Sequence, residues 1–171
     1  MKMNPEVAEA LNAQINAELQ ASYTYLSMAA YFDSVALPGF AAWFRSQSLE
    51  ENEHAMRIYD FVVKREGRVV LEGNSKPKGS YNTPETAIAA ALEMEQGVTA
   101  QINALFALAK EHDDYSAQHM LNWFLDEQIE EEDVFATVLD KARAADGNRW
   151  FLLELDKELG AERPLPSPDD A

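Results

Sequence analysis

The amino-acid sequence predicts an all-α protein: a four-helix bundle with one long crossover connection and a short C-terminal fifth helix. Alanine is abundant, and apolar residues recur at intervals of three and four along four long segments. This spacing places them on one face of an α-helix. Glycine and proline are sparse and fall mainly between the segments. The middle gap is long and the other two are short, which is typical of a bundle with one crossover.

The first helix is predicted to begin at Asn4-Pro5, because asparagine caps free backbone N–H groups and proline suits the first turn. A break over residues 33–39, ending in Pro38-Gly39, separates it from the second helix. Gly67 closes the second helix, in the position that suits a left-handed residue after a helix C-terminus.

The long connection covers residues 67–83, and its 17 residues are rich in Gly, Lys, Ser and Asn. Extended, it reaches about 56 Å, whereas a helix of about 28 residues is about 42 Å long. It can therefore run the length of the bundle and leave the second and third helices parallel. Thr83-Pro84 opens the third helix, residues 112–114 form a polar joint before the fourth, and Gly147 ends the fourth.

The fifth helix is predicted over Arg149–Leu159, with its end at Gly160. A helix of this length is not stable alone, so we expect it to be buried against symmetry mates. The chain is accordingly divided into one domain over residues 1–160 and a Pro-rich tail over residues 161–171.

The chain is strongly acidic: 14 Lys and Arg residues against 30 Asp and Glu residues give a formal charge of −16. Such a protein repels nucleic acid and favours inorganic cations. The lack of cysteine excludes disulfides, iron–sulfur clusters and Cys-ligated zinc. The longest uncharged runs have 14 residues, too few to span a membrane, and the first residues hold no continuous apolar stretch. We therefore expect a soluble, cytoplasmic protein.

Ionisable residues interrupt the middle of each apolar face, and no Lys or Arg accompanies them. The polar residues at these positions are Glu18, Glu51, His54, Glu95, Gln128 and Glu131. One such glutamate is ordinarily a rim residue, but four helices carry one at matching height. Buried carboxylates need countercharge, and two divalent cations would supply it. Because Glu51 and His54 are neighbours on one helix face, they can share an ion, and this donor set favours iron or manganese.

These residues resemble the ferroxidase centre of the ferritin family, specifically of bacterial non-haem ferritins, over about residues 4–160. The resemblance implies a ferritin-like fold and two iron ions bridged by Glu51. The ligands of one would be Glu18, Glu51 and His54, and those of the other Glu51, Glu95 and Glu131. Gln128 would lie beside the pair and hydrogen-bond a ligand or bound oxygen. Tyr25 would donate an electron, or simply pack and hydrogen-bond a carboxylate.

A third iron site is also implied by the resemblance, at Glu50, Glu127 and Glu130, although the same residues suit a solvated acidic helix face. No haem is expected, because Asn52 stands where bacterioferritins carry their haem-ligating methionine. Their second Glu-x-x-His motif is missing too, since Glu130-Glu131 occupies its place.

The implied activity is that of a ferroxidase, which oxidises Fe²⁺ with O₂ or H₂O₂ and stores ferric mineral in a cage of 24 identical subunits. One alternative is a di-iron oxidase or oxygenase that acts on an organic substrate. It would need an apolar pocket at the iron pair and usually a second Glu-x-x-His. A non-catalytic iron store is the other alternative, and it would lack the histidine or the bridging glutamate.

Overall fold

The computed structural model describes residues 3–162, which form five α-helices and contain no β-strand. The helices are α1 (Pro5–Ser34), α2 (Pro38–Lys64), α3 (Pro84–Glu111), α4 (Tyr115–Ala144) and α5 (Arg149–Glu162). The predicted all-α bundle with a short fifth helix is therefore confirmed. Most of the predicted tail, residues 163–171, lies outside the described residues. Within residues 3–162, no helix combines the length and the apolar character that a membrane crossing needs.

The predicted starts of α1 and α3 are confirmed by their capping hydrogen bonds. Asn4 Oδ1 accepts a hydrogen bond from the Glu6 backbone N–H at 2.8 Å. Thr83 and Thr86 form a reciprocal capping box at the start of α3. These bonds satisfy backbone donors that the first turn of a helix leaves free.

Two glycine assignments in the α1–α2–crossover region are wrong. Pro38-Gly39 belongs to the first turn of α2 and not to the break before it. At the other end of α2 the left-handed residue is Glu66, with φ of 59°. Gly67 serves a close approach instead, because a Cβ there would lie 2.8 Å from the side chain of Val62.

Polar side chains on α1 hold the crossover in place. Asn12 Oδ1, Asn16 Oδ1 and Gln20 Oε1 accept hydrogen bonds from the backbone N–H groups of Val70, Glu72 and Ser75, at 2.7, 2.8 and 2.6 Å. These acceptors are four residues apart and form one stripe along α1. The crossover therefore runs parallel to α1 and delivers the chain to the start of α3, which confirms the predicted crossover.

Helix α5 does not end at Gly160, as the sequence suggested, but continues to Glu162. Gly160 packs against Gly39 of α2, and a Cβ on Gly160 would lie 3.0 Å from the Gly39 Cα atom. Leu155 and Leu159 are buried in the bundle's own core. The inner face of α5 is thus covered within the chain itself, so the predicted burial against symmetry mates could involve only its outer face.

The core consists of two apolar clusters, one in each half of the bundle. The cluster near α5 is aromatic and includes Tyr25, Phe32 and Phe44. The other cluster is mainly aliphatic and includes Leu11 and Ile58. Between them lies a layer of buried polar residues, which is described next.

Candidate metal centre

The polar layer contains the six residues that interrupt the apolar faces in the sequence. They are Glu18, Glu51, His54, Glu95, Gln128 and Glu131, and none is more than 3 % exposed. Helices α1 to α4 each contribute at least one of them, because each helix carries its polar position midway between the two apolar clusters. The structure therefore brings the predicted layer together at one height.

Glu18, Glu51 and His54 form a group within this layer that could hold a metal ion. One ligand atom from each lies within 4.8 Å of the others. Glu51 Oε2 is 3.4 Å from His54 Nδ1 but takes part in no hydrogen bond, and Glu18 Oε2 also has no hydrogen-bonding partner. Oxygens that are buried without a donor are rare because they are costly. A cation held between these residues would satisfy both oxygens.

Glu95 is held by donors from two other helices. The Tyr25 hydroxyl donates a hydrogen bond to Glu95 Oε1, and Gln128 Nε2 donates to Glu95 Oε2 at 3.2 Å. Tyr25 itself is fully buried and stacks on Phe135, with ring centroids 5.5 Å apart. The structure therefore places Tyr25 and Gln128 directly beside this carboxylate.

Glu131 completes the layer from α4. Gln47 Nε2 donates to its two oxygens at distances of 3.3 and 3.5 Å. Gln47 Oε1 is buried without a hydrogen-bonding partner. The layer therefore contains three buried acceptor oxygens without a hydrogen-bond donor, one each on Glu18, Gln47 and Glu51. Such a set of oxygens fits hard or borderline cations, which prefer oxygen ligands.

Burial and mutual repulsion raise the pKa of the carboxyl groups. Burial raises the pKa of Glu18 to about 7, opposed in part by the hydrogen bond from Gln14. The pKa of Glu51 is raised well above its usual range by burial and by the charges of Glu95 and Glu18. Burial also raises the pKa of Glu95. The metal-free centre therefore retains protons near neutral pH, which an entering cation would displace.

His54 is held as a neutral imidazole. Burial lowers its pKa, with the nearby Glu50 acting in the opposite direction. Its ring packs edge-on against Trp123 at a centroid distance of 5.3 Å, and the Arg57 guanidinium lies 3.8 Å from the centroid of that indole. A neutral imidazole offers a lone pair to a metal, so the packing orients a group that is chemically ready to bind.

A family model described as a ferritin-like domain matches residues 8–145. The chain belongs to the ferritin family. It is 37 % identical over 161 residues to a protein named bacterial non-heme ferritin from Staphylococcus aureus strain USA300, and the match covers 93 % of this chain and 96 % of that one. The protein of the same name from Staphylococcus saprophyticus strain ATCC 15305 is also 37 % identical, with 95 % of it covered.

Solved ferritin structures share the whole architecture of this chain. An open pore ferritin from the hyperthermophilic archaeon Archaeoglobus fulgidus superimposes with a TM-score of 0.92 at 41 % identity, covering 92 % of this chain and 98 % of that one. A humanized archaeal ferritin gives a TM-score of 0.94 at 40 % identity, covering 96 % and 100 %. The identified family and the ferritin-like fold thus agree with the resemblance stated above.

The predicted third site of this ferritin-family chain is grouped differently from the expectation. Glu50 and Glu127 lie close together, but the third member of their group is His54, with ligand atoms within 4.8 Å of one another. Glu130 is exposed and does not belong to that group. His54 therefore faces both clusters: Nδ1 lies near Glu51, and Nε2 lies 4.0 Å from Glu127 Oε1.

Sequence reasoning missed two glutamines that hydrogen-bond carboxylates of this buried layer. Gln14 Nε2 donates to Glu18 Oε1 at 2.9 Å, and Gln47 contacts Glu131 as described. Each glutamine precedes a site carboxylate of its own helix by four residues. A buried amide one turn before a buried carboxylate was the available signal, although it does not reveal which carboxylate each amide contacts.

The pH dependence of the metal-free protein tests the environment of Glu18. Its pKa is about 7 in the folded state against the usual 4.5 of a glutamate in water, so its ionisation opposes folding. The loss in free energy of unfolding caused by this ionisation is absent below pH 4.5 and grows as the pH rises from 4.5 to 7. Above pH 7 it is on the order of 3 kcal/mol. Glu18→Gln keeps the acceptor for Gln14 but has no proton to lose.

We therefore expect the metal-free Glu18→Gln variant to melt above the parent at pH 8, with the difference shrinking as the pH falls towards 4.5. Thermal unfolding in the presence of a chelator at a series of pH values measures this. A difference that does not change with pH would contradict the assignment.

Proposed function

We propose that the protein is the subunit of an iron-storage ferritin that oxidises Fe²⁺ to Fe³⁺ at a di-iron centre. The proposed oxidant is O₂ or H₂O₂, and the ferric product would be stored inside a cage of 24 identical subunits. The observation that carries the proposal is the buried layer of four carboxylates and a neutral imidazole, in which carboxylate oxygens of Glu18 and Glu51 have no hydrogen-bond donor. Membership of the ferritin family supports the same function.

In this proposal Fe²⁺ is the substrate, and two ions bind in the layer. One ion is held by Glu18, Glu51 and His54, whose ligand atoms already lie together. The other is held by Glu51, Glu95 and Glu131, so that Glu51 touches both. Each ion gives up one electron, and the pair supplies two electrons to one oxidant molecule. The negative charge of the carboxylates favours the ferric product, and the ions supply a template that places both electrons at one point.

The protein's own groups have separate tasks in this reaction. Burial raises the pKa values of Glu18 and Glu51 in the metal-free state, so that protons held by these carboxyl groups are released when iron enters. The hydrogen bonds from Tyr25 and Gln128 keep Glu95 in one orientation. Tyr25 would also donate an electron when the oxidant needs more than the iron pair supplies.

A third iron site is proposed at Glu50 and Glu127, with His54 as a shared neighbour. Glu130 is exposed and lies outside that group, so in this proposal it would bind iron only at the solvent-exposed side of the third site.

Anaerobic titration with Fe²⁺ followed by addition of oxygen tests the proposed chemistry. We expect two tightly bound ferrous ions per subunit, and then a fast rise in ferric absorbance for that amount of iron. Replacing His54 with alanine should weaken one ion and leave the other bound. Iron that binds only at exposed acidic residues would contradict the proposal.

The particle mass tests assembly. In the single chain, α5 leaves Trp150 62 % exposed and Phe151 53 % exposed on its outer face, and apolar surface of this kind marks protein contacts. We expect size-exclusion chromatography with light scattering to give a cage-sized particle. A monomer or dimer as the only species at micromolar concentration would remove storage from the proposal and favour an oxidase acting on an organic substrate.

A further inference from the structure

A chain of hydrogen bonds connects the centre with the surface between α3 and α4. Gln128 Nε2 lies 3.2 Å from Glu95 Oε2, 3.3 Å from the Glu95 backbone oxygen and 3.3 Å from Thr99 Oγ1. The Thr99 hydroxyl in turn donates to Glu132 Oε1 at 2.5 Å. We propose that Thr99 and Glu132 are positioning residues, which hold the Gln128 amide so that its N–H groups point towards Glu95.

The direction of these hydrogen bonds follows from the donors available. A threonine hydroxyl has a single hydrogen, and Glu132, as a carboxylate, can only accept it. Thr99 therefore offers Gln128 nothing but lone pairs, so that Gln128 must turn its NH₂ group towards Thr99. The same nitrogen reaches Glu95 Oε2. A flipped amide would set its carbonyl oxygen against the Glu95 carboxylate and against the Thr99 lone pairs.

The amide needs this restraint because of the cavity beside it. A groove of about 350 Å³ between α3 and α4 is lined by Thr99, Gln128 and Glu132, among others. Gln128 is itself only 3 % exposed. It forms the floor of the groove, and its side chain contacts Glu95 of the buried layer. Solvent that enters such a groove can compete for a side-chain amide, and the Thr99–Glu132 pair on the groove wall holds the Gln128 amide against it.

The consequence for the centre rests on the proposed function. Glu95 receives a hydrogen bond on each oxygen, from Tyr25 and from Gln128. Losing the second donor lets the carboxylate rotate away from the iron ion that it shares with Glu51 and Glu131. Residues that orient metal ligands commonly change affinity by about 10- to 100-fold. Thr99 and Glu132 therefore influence one of the two ions and not the one at His54.

Thr99→Val removes the hydroxyl and keeps the shape, and Thr99→Ser keeps the hydroxyl. In anaerobic Fe²⁺ titrations we expect Thr99→Val to weaken the ion at Glu95 by about 10- to 100-fold, with the ion at His54 unchanged. Thr99→Ser should restore the parent affinity. Equal losses in both variants would mean that packing matters and the hydrogen bond does not, which would overturn the proposal.

Glu132→Ala frees the Thr99 hydrogen and should also weaken the ion at Glu95. The matched control is Asp133→Ala, which removes the same charge from an exposed neighbouring position. Equal effects of the two variants would point to overall charge and overturn the proposal.

Crystal structures of the metal-free variants give a readout that needs no iron. The contact between Gln128 Nε2 and Glu95 Oε2 should persist in Thr99→Ser and be lost in Thr99→Val, and its persistence in both would overturn the proposal. If the parent bound no ferrous pair at the centre, the proposed function would fail, while these structures would still decide the role of Thr99.

Discussion

Replacing Glu51 with alanine is expected to abolish the fast oxidation of paired iron. Glu51 is the residue proposed to touch both ions, and its free Oε2 lies 3.4 Å from His54 Nδ1. Because residues that merely orient metal ligands already cost about 10- to 100-fold, the fast phase should fall by more than about 100-fold. Slow mineral formation with excess iron should continue, since it does not depend on the paired site. Stopped-flow absorbance after mixing with oxygen measures both phases.

The same substitution should not destabilise the metal-free protein. Burial and the charges of Glu95 and Glu18 raise the pKa of Glu51, which means that the ionised carboxylate is disfavoured in the folded protein. Removing the carboxyl group abolishes the cost of burying and ionising it beside other carboxylates, and the metal-free variant should melt at the parent temperature or above it. A large drop in the melting temperature would instead show that Glu51 is a structural hydrogen-bonding residue.

Glu53→Ala is the matched control for Glu51→Ala. Glu53 lies on the same helix, two residues away, but is exposed. Its replacement removes one carboxylate without reaching the buried layer, so both the fast phase and the melting temperature should remain those of the parent. Loss of the fast phase in this variant would attribute the effect to the overall charge of α2.

The buried layer could be predicted because it depends on distances along single helices. Glu18, Glu51, Glu95 and Glu131 each interrupt an apolar stripe near the middle of its helix, and a bundle of similar helices brings such positions to one height. The partners of these residues could not be predicted in the same way. Which carboxylate Gln47 contacts depends on how α2 and α4 are rotated against each other, and sequence periodicity does not fix that rotation.

Glycine was the least predictable residue of the fold. The sequence predicts Gly67 and Gly160 as helix ends. In the structure each allows a close contact instead, Gly67 with Val62 and Gly160 with Gly39. A glycine is used either for its backbone freedom or for the space that a missing Cβ leaves. The sequence around it does not distinguish these uses when the contact comes from a distant segment, as with Gly160 of α5 and Gly39 of α2.

Replacing Gly39 with alanine is accordingly expected to displace α5. A Cβ at this position would lie 1.7 Å from the backbone oxygen of Asp156, and the backbone cannot yield as a flexible side chain does. The Asp156 carboxylate also accepts a hydrogen bond from the Phe40 backbone N–H at 2.8 Å, at the start of α2, where Leu37 supplies no side-chain cap. Overpacking costs about 1–3 kcal/mol in ordinary cores, and this overlap should cost at least the upper figure.

Gly97→Ala provides the matched control for Gly39→Ala. Gly97 lies inside α3, and nothing would stand within 4 Å of an added Cβ. Alanine is favoured over glycine in a helix by about 1 kcal/mol, so this variant should be slightly more stable than the parent. In Gly39→Ala, thermal unfolding should begin at a much lower temperature, and limited proteolysis should cut near the start of α5, because Leu155 and Leu159 lose their packing. If both alanine variants melted together and resisted cleavage equally, α5 would not be fixed to α2 through the contact between Gly39 and Asp156.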